Sequence, residues 1–374
     1  MKKKKGILSF LASFWLTSLL LAFLMVITVW GTVAQKYQGL YLAQKTYFSS
    51  FFFVAHIGPV PFALPGGMTV MGGLFLNLVA AFVVRFRFRW NQLGLWICHG
   101  GIFLMLLGGA FTYLFSQEGN MDLVEGEQKS ASSSYHDYEL AVIRDDEERE
   151  YERISVISQS RLHSGEKLEL SSLPFGIRIA RYYPNCLPVN KGQIITGLKP
   201  RPLEPQYERN LAGAELELLL EDKPAYRLYV FYNMPQFVKF RGKTYQFLLR
   251  HQQFHLPFTL RLKKFIKKEH PGTNVPRHFE SKVMLIEGDK VRDVRIYMNH
   301  PLRYKGYTFF QSSWYQDSQG RLHTVLAVVR NPAAAVPYIS SLLILLGMLI
   351  HFTQKLVRFL ARTAKQDRVV ELTS

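Results

Sequence analysis

The acidic residues of this chain are confined to one part of it. Residues 1–115 contain no Asp or Glu and only nine Lys and Arg, whereas all 28 acidic residues of the 374-residue sequence follow. Such long uncharged stretches argue against a free cytosolic enzyme and against a disordered chain. We therefore expect a membrane protein that also has a large water-exposed part.

Four segments are apolar enough, and long enough at about 20 residues, to cross a bilayer as helices. We predict spans at residues 6–30, 66–84, 93–116 and 333–353. The first segment follows four lysines, as the apolar region of a signal peptide does. Its apolar run is longer than the roughly 7 to 15 residues of such a region, so we interpret it as an uncleaved anchor.

Lys and Arg are enriched in the cytoplasmic flanks of membrane spans. Cations precede the first span, follow the fourth, and join the second to the third as Arg85, Arg87 and Arg89. We therefore predict that both termini are cytoplasmic and that residues 354–374 form a basic cytoplasmic tail. It follows that residues 31–65 form an outer interfacial loop and that residues 117–332 lie outside the cytoplasm.

The predicted outer domain reads as β structure. Alternating apolar residues and turn residues predict hairpins over residues 215–231 and 282–297, and two further strands over residues 308–329. The Ser-rich segment 128–134 and the charge run 144–153 predict a solvated loop or an edge hairpin. The fold class is thus membrane α plus β, with four transmembrane helices and a β-rich domain inserted between the third and fourth. Nucleic acid is not an expected partner on that side of a membrane.

The two cysteines, Cys98 and Cys186, fall in a predicted span and in the predicted outer domain. They are not expected to pair with each other. The sequence contains neither a CxxC pair nor a haem-attachment CxxCH motif, so it does not predict a thiol oxidoreductase or a c-type cytochrome.

His99 is the most distinctive chemical feature of the spans. It lies about seven residues into the third span, which is roughly 10 Å into the hydrocarbon. An ionisable side chain at this depth faces another helix, a cavity or a cofactor, and a neutral imidazole is a common axial ligand of haem iron. The alternative is a packing histidine that donates to a carbonyl or to Asn77 in the second span. Sequence spacing leaves both interpretations open.

A stripe of small residues crosses the same span, formed by Gly94, Cys98, Gly101 and Gly108. Such a stripe lets another helix approach closely. Cys98 is most simply a packing residue within it.

The other candidates receive structural interpretations. His351 closes the fourth span and is interpreted as interfacial, and His56 is expected on the outer side, where it cannot share an iron with His99. The loop arginines Arg85, Arg87 and Arg89 can neutralise haem propionates, although topology alone explains them. The eight histidines of the outer domain show no repeated ligand spacing, so none is assigned to a metal.

One segment of the outer domain resembles a known family. The string Tyr297-Met-Asn-His-Pro-Leu-Arg-Tyr-Lys-Gly-Tyr-Thr-Phe-Phe-Gln-Ser-Ser-Trp-Tyr is similar to the signature of the ResB (CcsB) family of cytochrome c biogenesis proteins. The order of three spans, an outer domain and one span also resembles that family. His300, between Asn299 and Pro301, and the apolar segment 47–65 depart from the usual pattern.

The resemblance implies a function that spacing alone does not. ResB-like proteins act in the bacterial inner membrane with a ResC (CcsA)-like subunit, and together they export haem b and attach it to the CxxCH motif of apocytochrome c. A thioredoxin-like protein keeps the substrate thiols reduced. His99 then matches the intramembrane axial ligand of haem iron. We expect an accessory, non-catalytic subunit and, since the Trp-rich motif of the partner is absent from this sequence, not a fused synthase.

Two other classes of function stay open at this stage. One is a membrane-anchored binding or sensor domain without haem, in which His99 only packs. The other is a membrane oxidoreductase that passes electrons through haem to quinone. That second class would need two well-placed axial histidines within this chain, and only His99 is well placed.

Overall fold

A computed structural model of the protein describes residues 2–57, 60–85, 89–144, 153–192, 194–221, 223–273 and 276–373. The chain divides into two compact units, a helical unit of Met1–Ser116 with Asn331–Ser374 and a β unit of Gln117–Arg330. The helices are α1 Lys2–Leu11, α2 Phe14–Gln38, α3 Leu40–Ala43, α4 Gly67–Arg85, α5 Leu93–Phe115 and α6 Val336–Thr373.

Four helices of the described residues have the length and composition needed to cross a membrane. They are Phe14–Gln38, Gly67–Arg85, Trp90–Phe115 and Val336–Ala364. The chain therefore combines four apolar, membrane-length helices with a large β-rich region. The middle two helices lie within a few residues of the predicted segments 66–84 and 93–116. The other two differ from the sequence prediction.

The first apolar segment is broken rather than continuous. Helix α1 ends at Leu11, and α2 begins after Ser13, whose extended backbone and side chain cap the new helix by accepting from Leu16 N–H at 3.2 Å. The side-chain amide of Asn77 on α4 donates to the carbonyls of Leu11 and Ser13 at 2.6 and 3.2 Å. Carbonyls freed by a helix break in an apolar surrounding need such partners. The break thus depends on a residue far along the chain.

The fourth apolar segment continues as helix well beyond residue 353. Helix α6 is 38 residues long and runs to Thr373, through the segment predicted as a basic tail. Lys355, Arg358 and Arg362 are spaced three and four residues apart, which places them along one side of a helix. That spacing is the sequence signal that favours helix here.

Residues 31–65 hold more structure than an interfacial loop. After α2 ends, the chain forms α3, a π-helical turn at Gln44–Phe48, and a hairpin of β1 Phe52–Ile57 with β2 Val60–Pro65. Tyr47 and Phe53 meet edge to face with centroids 5.0 Å apart. They belong to a buried cluster with Ile27 of α2 and Val70 of α4, so this segment packs onto the helices on either side of it in sequence.

The β unit contains sixteen strands within the described residues. They are β3 Gln117–Val124, β4 Gln128–Arg144, β5 Arg153–Ser158, β6 Lys167–Leu168, β7 Gly176–Tyr183, β8 Cys186–Lys191, β9 Ile194–Pro200, β10 Gly213–Leu220, β11 Lys223–Phe231, β12 Gln236–Phe240, β13 Lys243–Glu269, β14 Pro276–Glu287, β15 Lys290–Tyr297, β16 Leu302–Tyr304, β17 Tyr307–Gln316 and β18 Leu322–Arg330. The main sheet has the order β15-β14-β13-β4-β3-β18-β17-β16, with β12 on β13 and β5 on β4. A smaller sheet has the order β11-β10-β7-β6, and β8 pairs with β9.

Strand β13 contributes to both large hydrophobic cores of the β unit. Its first half places Phe247 and Leu249 in a core shared with the smaller sheet. Its second half places Leu260 and Phe265 in a core with strands β14 to β18. Between the halves, the register with β4 shifts from His255 to Leu260. Pro257 lies in this gap, where a missing N–H breaks no ladder hydrogen bond with β4.

The predicted hairpins of the β unit are confirmed. Strands β10 and β11 pair antiparallel, as do β14 and β15. The two further predicted strands are β17 and β18, and the structure shows that they also pair with each other. Each was visible in the sequence because its alternation of apolar and polar residues is local.

The prediction for the Ser-rich segment 128–134 is wrong. The segment belongs to β4, which lies inside the main sheet between β13 and β3. Ser132 and Ser134 are buried, and a side chain on the facing Gly119 would come within 2.3 Å of the Ser133 carbonyl oxygen. A glycine is therefore required at position 119, where the two strands approach. The charge run 144–153 falls mostly on residues 145–152, which lie outside the described residues.

Candidate functional site

The small-residue stripe of α5 packs directly on α6. A side chain on Gly94 would come within 2.4 Å of the His351 backbone nitrogen, and one on Gly101 within 2.9 Å of the Ser340 carbonyl oxygen. In return, a side chain on Gly347 would come within 2.4 Å of the Cys98 nitrogen. The stripe thus serves close helix packing, as its sequence spacing indicates. Cys98 is part of this contact.

Hydrogen bonds hold the same two helices together where α5 begins. The Gln354 side-chain amide donates to the Trp90 carbonyl at 3.1 Å, and the Arg358 guanidinium donates to the Asn91 carbonyl at 3.1 Å. These carbonyls belong to a single 3-10 turn, Trp90–Gln92, that leads into α5. The start of α5, and with it the rotation of the helix, is therefore fixed by α6.

The side of α5 away from this stripe carries aromatic rings that contact α4. Phe103 stacks on Phe75 with centroids 5.2 Å apart, and Trp96 lies 5.7 Å from Phe82. His99 follows Trp96 by three residues and precedes Phe103 by four, and residues at these spacings are neighbours on a helix surface. The imidazole therefore lies on the aromatic side of α5, near α4 and away from α6.

The His99 ring has a defined orientation. Its Nδ1 lies 2.9 Å from the Leu95 carbonyl oxygen one turn earlier, and the side chain is half-buried. Because a carbonyl can only accept, this hydrogen bond requires that Nδ1 carries the hydrogen. The neutral imidazole then has its lone pair on Nε2. Metal-binding histidines are commonly oriented in this way by a backbone carbonyl on the other nitrogen.

Asn77 does not take part in this arrangement. Its carbonyl oxygen accepts from the Thr17 hydroxyl at 2.8 Å, and its amide donates to the break between α1 and α2. Of the two packing partners that the sequence suggests for His99, a carbonyl and Asn77, the structure shows the carbonyl. This contact fits a packing histidine and an oriented ligand equally well.

The loop arginines and the other span histidines are placed as follows. The Arg85 guanidinium lies over the Phe14 ring at 5.1 Å, and Arg89 precedes the 3-10 turn. Arg87 and the side chain of His56 lie outside the described residues. The backbone of His351 faces Gly94, as described above.

The signature segment 297–315 of the β unit is built from tight turns and core strands. Asn299 has a φ of 62°, and Lys305 and Gly306 have φ of 47° and 80°. Two successive residues with positive φ make a type I′ hairpin turn, which is the connection between β16 and β17. The aromatic residues Tyr307 and Phe309 that follow are buried in the second core. Much of the signature is therefore explained by folding.

Tyr304 and Lys305 of this segment are tied to one carboxylate. The Tyr304 hydroxyl donates to Glu287 at 2.6 Å, and the Lys305 ammonium pairs with the same side chain. The Lys305 ammonium lowers the pKa of Glu287. This fixes the tip of the β16–β17 hairpin against the end of β14.

Histidines elsewhere in the β unit are mainly packed with aromatic residues. His251 stacks on Tyr138 with centroids 4.7 Å apart and meets Tyr232 edge to face at 5.0 Å. Burial lowers the pKa of His251, so the ring is neutral near pH 7. Among the described residues, no group of three or more His, Cys, Asp and Glu side chains is arranged to hold a metal ion. His255 is exposed on β13.

Sequence reasoning missed the groups that position α5 and the helix break. The sequence suggested the contact from His99 to a backbone carbonyl only as one alternative. No sequence pattern predicts the hydrogen bonds that the amides of Gln354 and Asn77 make. The one available signal was the spacing of Arg358 with Lys355 and Arg362. This spacing favours a helix that continues beyond residue 353, and that continuation brings α6 alongside the start of α5.

Comparison with known proteins shows similarity to one family. Residues 238–325, which include the whole signature segment, match the ResB-like family. The chain is also 27% identical to Protein NrfI of Wolinella succinogenes over 305 residues, which is 78% of this chain and 30% of NrfI. It therefore spans less than a third of the length of this curated relative. Both findings show that the chain is similar to ResB-like proteins, and the family match lies within the β unit.

Proposed function

We propose that this protein is a haem-handling subunit of a cytochrome c biogenesis machinery in the bacterial cytoplasmic membrane. The family match and the similarity to NrfI support a role in cytochrome c biogenesis. In this proposal both termini are cytoplasmic and the β unit is extracytoplasmic, as the distribution of cations predicts.

His99 is the residue that we propose as an axial ligand of haem iron. The observation that carries this assignment is the 2.9 Å contact from its Nδ1 to the Leu95 carbonyl. This contact selects the neutral tautomer that has its lone pair for binding iron on Nε2. The helix that carries His99 is itself held by the contacts of Gly94 and Gly101 with α6. The chemical character of the site therefore fits haem, which enters here as transported cargo.

The rest of the machinery lies in other proteins. We propose a ResC (CcsA)-like subunit that supplies the opposing ligand, and a thioredoxin-like protein that keeps the CxxCH cysteines of apocytochrome c reduced. Thioether attachment adds each cysteine thiol across a vinyl group of the haem, so the reactive groups belong to haem and apocytochrome. This chain contributes ligation, orientation and an apolar surrounding.

The β unit has a separate part in the proposal. Its two cores and its main sheet form a rigid exterior body that can hold apocytochrome close to the exported haem. Its thiol Cys186 is buried, and burial raises the pKa of that thiol to about 11. Since the thiolate is the reactive form, Cys186 is not suited to exchange with substrate thiols.

The test is the absorption spectrum of haem that co-purifies with the chain and its ResC-like partner. We expect His99→Ala to lose most of this haem and His99→Gly to recover the spectrum when imidazole is added. Cys98→Ala, next to His99 on the same helix, is the matched control and should retain the haem. Unchanged haem in His99→Ala would reject the ligand role, and normal c-type cytochrome formation after deletion of the gene would reject the biological role.

The contact to Leu95 also favours a second candidate, an anchored binding or sensor domain without haem. A packing histidine makes the same hydrogen bond to a carbonyl one turn earlier. Under this candidate the wild type co-purifies with no haem, and imidazole has no effect on His99→Gly.

A further inference from the structure

One face of the main sheet carries cations directly opposite one another. Lys264 of β13 is in register with Lys282 of β14, and Lys282 is in register with Arg295 of β15. All three residues are exposed. Like charges directly opposite each other destabilise a sheet. An anion bound over this row would relieve that repulsion.

Only one end of the row is neutralised by the described residues. Arg295 donates to the two carboxylate oxygens of the buried Glu280 at 2.6 and 3.0 Å. In the part of the chain that the structure describes, neither Lys264 nor Lys282 has a carboxylate within the 4.0 Å of an ion pair. Two ammonium groups on adjacent strands are thus left facing solvent.

The turn that follows β15 presents an imidazole next to this row. Asn299 has a φ of 62°, and the backbone closes between Tyr297 and His300 with N–H to O distances of 2.9 and 3.3 Å. The His300 ring stacks on Tyr297 with centroids 4.2 Å apart and 16° between the planes. Although His300 is exposed, its ring is therefore held in place on two sides.

The orientation of His300 parallels that of His99. Its Nδ1 lies 3.2 Å from the Met298 carbonyl oxygen, so Nδ1 carries the hydrogen and the neutral ring has its lone pair on Nε2. Arg295 and Tyr297 are two positions apart on β15, which is about 7 Å along the strand. A nitrogen ligand, an aromatic ring and two ammonium groups that form no close ion pair with the described residues therefore share one face of the sheet with the Arg295–Glu280 pair.

These groups match the chemistry of an iron porphyrin that carries two carboxylates. Imidazole nitrogen binds the iron, and cations bind the carboxylates through charge-assisted hydrogen bonds. We propose that His300, with Lys264 and Lys282, forms a second haem-binding site on the β unit. The choice of haem as ligand rests on the proposed function, whereas the site itself is separate from His99. It gives the exported cargo a place to be held outside the membrane.

The test of His300 uses the full chain in detergent, with ferric haem added as the probe and the Soret band as the readout. The background is His99→Ala, which removes the proposed membrane ligand. We expect this variant to bind haem with a nitrogen-ligated spectrum. Adding His300→Gln should abolish that spectrum and weaken binding roughly tenfold or more. His255→Gln, which changes another exposed histidine of the β unit, is the matched control and should leave both unchanged.

The cations are tested in the same background. Lys264→Gln with Lys282→Gln should weaken haem binding roughly tenfold. The same pair should not affect binding of haem dimethyl ester, whose carboxylates are blocked. Lys223→Gln with Lys239→Gln, at exposed lysines of other strands, is the control for net charge.

The outcomes separate this proposal from the proposed function. If His99→Ala binds no haem, or if His300→Gln changes its binding no more than His255→Gln does, the second site is rejected. A different outcome is that the wild type and His99→Ala have the same affinity for haem and the same Soret spectrum, whereas His300→Gln removes both. That outcome would support the second site and reject the role of His99. The substituted residues of the β unit are exposed and His99 is half-buried, so the folding of every variant is checked by gel filtration and circular dichroism.

Discussion

The backbone nitrogen of His351 occupies the space that a side chain on Gly94 would need. A methyl group at Gly94 would come within 2.4 Å of that nitrogen and within 2.6 Å of the Gly347 carbonyl oxygen. Backbone atoms of a helix cannot move aside singly, so the two helices would have to separate. Gly94 thus sets the distance between α5 and α6.

We predict that Gly94→Ala destabilises the helical unit by about 1–3 kcal/mol, as overpacking of a tight contact does. The control is Gly100→Ala on the same helix, where an added methyl group would have nothing within 4 Å. Thermal unfolding in detergent should show a lower midpoint for the first variant and no loss for the second. Equal midpoints would mean that α5 and α6 do not pack through Gly94.

The break between α1 and α2 should depend on Asn77. Asn77→Leu removes the donors to Leu11 and Ser13 and leaves their carbonyls in an apolar surrounding, at a cost of about 1–3 kcal/mol. Thr17→Val, which removes the 2.8 Å hydrogen bond to Asn77, should cost less. Thr32→Val is the control, since its hydroxyl donates to Thr28 of its own helix. The measurement is thermal stability in detergent.

The stability of the β unit should fall in acid because of Glu280. Two hydrogen bonds from the Arg295 guanidinium hold the pKa of Glu280 at about 2, below its usual value of 4.5. A carboxyl with a depressed pKa stabilises the fold fully above its unfolded-state value, and that contribution is lost as pH falls from about 4.5 towards 2. With screening at the exposed Arg295, the contribution is on the order of 1–3 kcal/mol.

Denaturation of the full chain between pH 6 and pH 2.5 checks this prediction. Glu280→Gln should be less stable than wild type at pH 6, and the difference should shrink as the pH approaches 2.5. The exposed Glu208→Gln is the control. A difference that stayed constant with pH would show that the Glu280 charge does not stabilise the fold.

The turn at Lys305 and Gly306 should be sensitive to a side chain at its second position. Gly306 has a φ of 80° with open space around it, so Gly306→Ala introduces backbone strain without a clash. We expect a loss of about 1–2 kcal/mol in the free energy of unfolding. Gly197→Ala, in strand β9 with one contact at 3.8 Å, is the control and should be nearly neutral. A neutral Gly306→Ala would contradict the type I′ turn.

The apolar spans and the hairpins were predictable because their signals are local. A helix such as α5 shows its hydropathy within its own residues, and the β10–β11 hairpin shows its alternation within twenty residues. The small-residue stripe at Gly94, Gly101 and Gly108 also predicted close helix packing, although not that the partner would be α6. His99 was identifiable as a buried polar group, but its Leu95 contact could only be proposed as one of two.

Features set by distant partners could not be predicted from the sequence. The break at Ser13 needs the amide of Asn77, which is more than sixty residues away. The residues near Ser13 give no signal that identifies Asn77 as the partner. The Ser-rich part of β4 looked like a loop because its polar residues suit solvent. It lies inside the sheet beside Gly119 of the neighbouring strand, whose missing side chain lets the two backbones approach closely.

The passage of β13 through both cores has a consequence for how the β unit opens. Strand β13 is 27 residues long and supplies Phe247 to one core and Phe265 to the other. One end of the strand therefore cannot separate from its neighbours without weakening the hydrogen bonds between strands at the other end. The β unit should behave as one cooperative block. Amide protons of the two halves of β13 should then exchange with deuterated water through the same global opening, at similar rates.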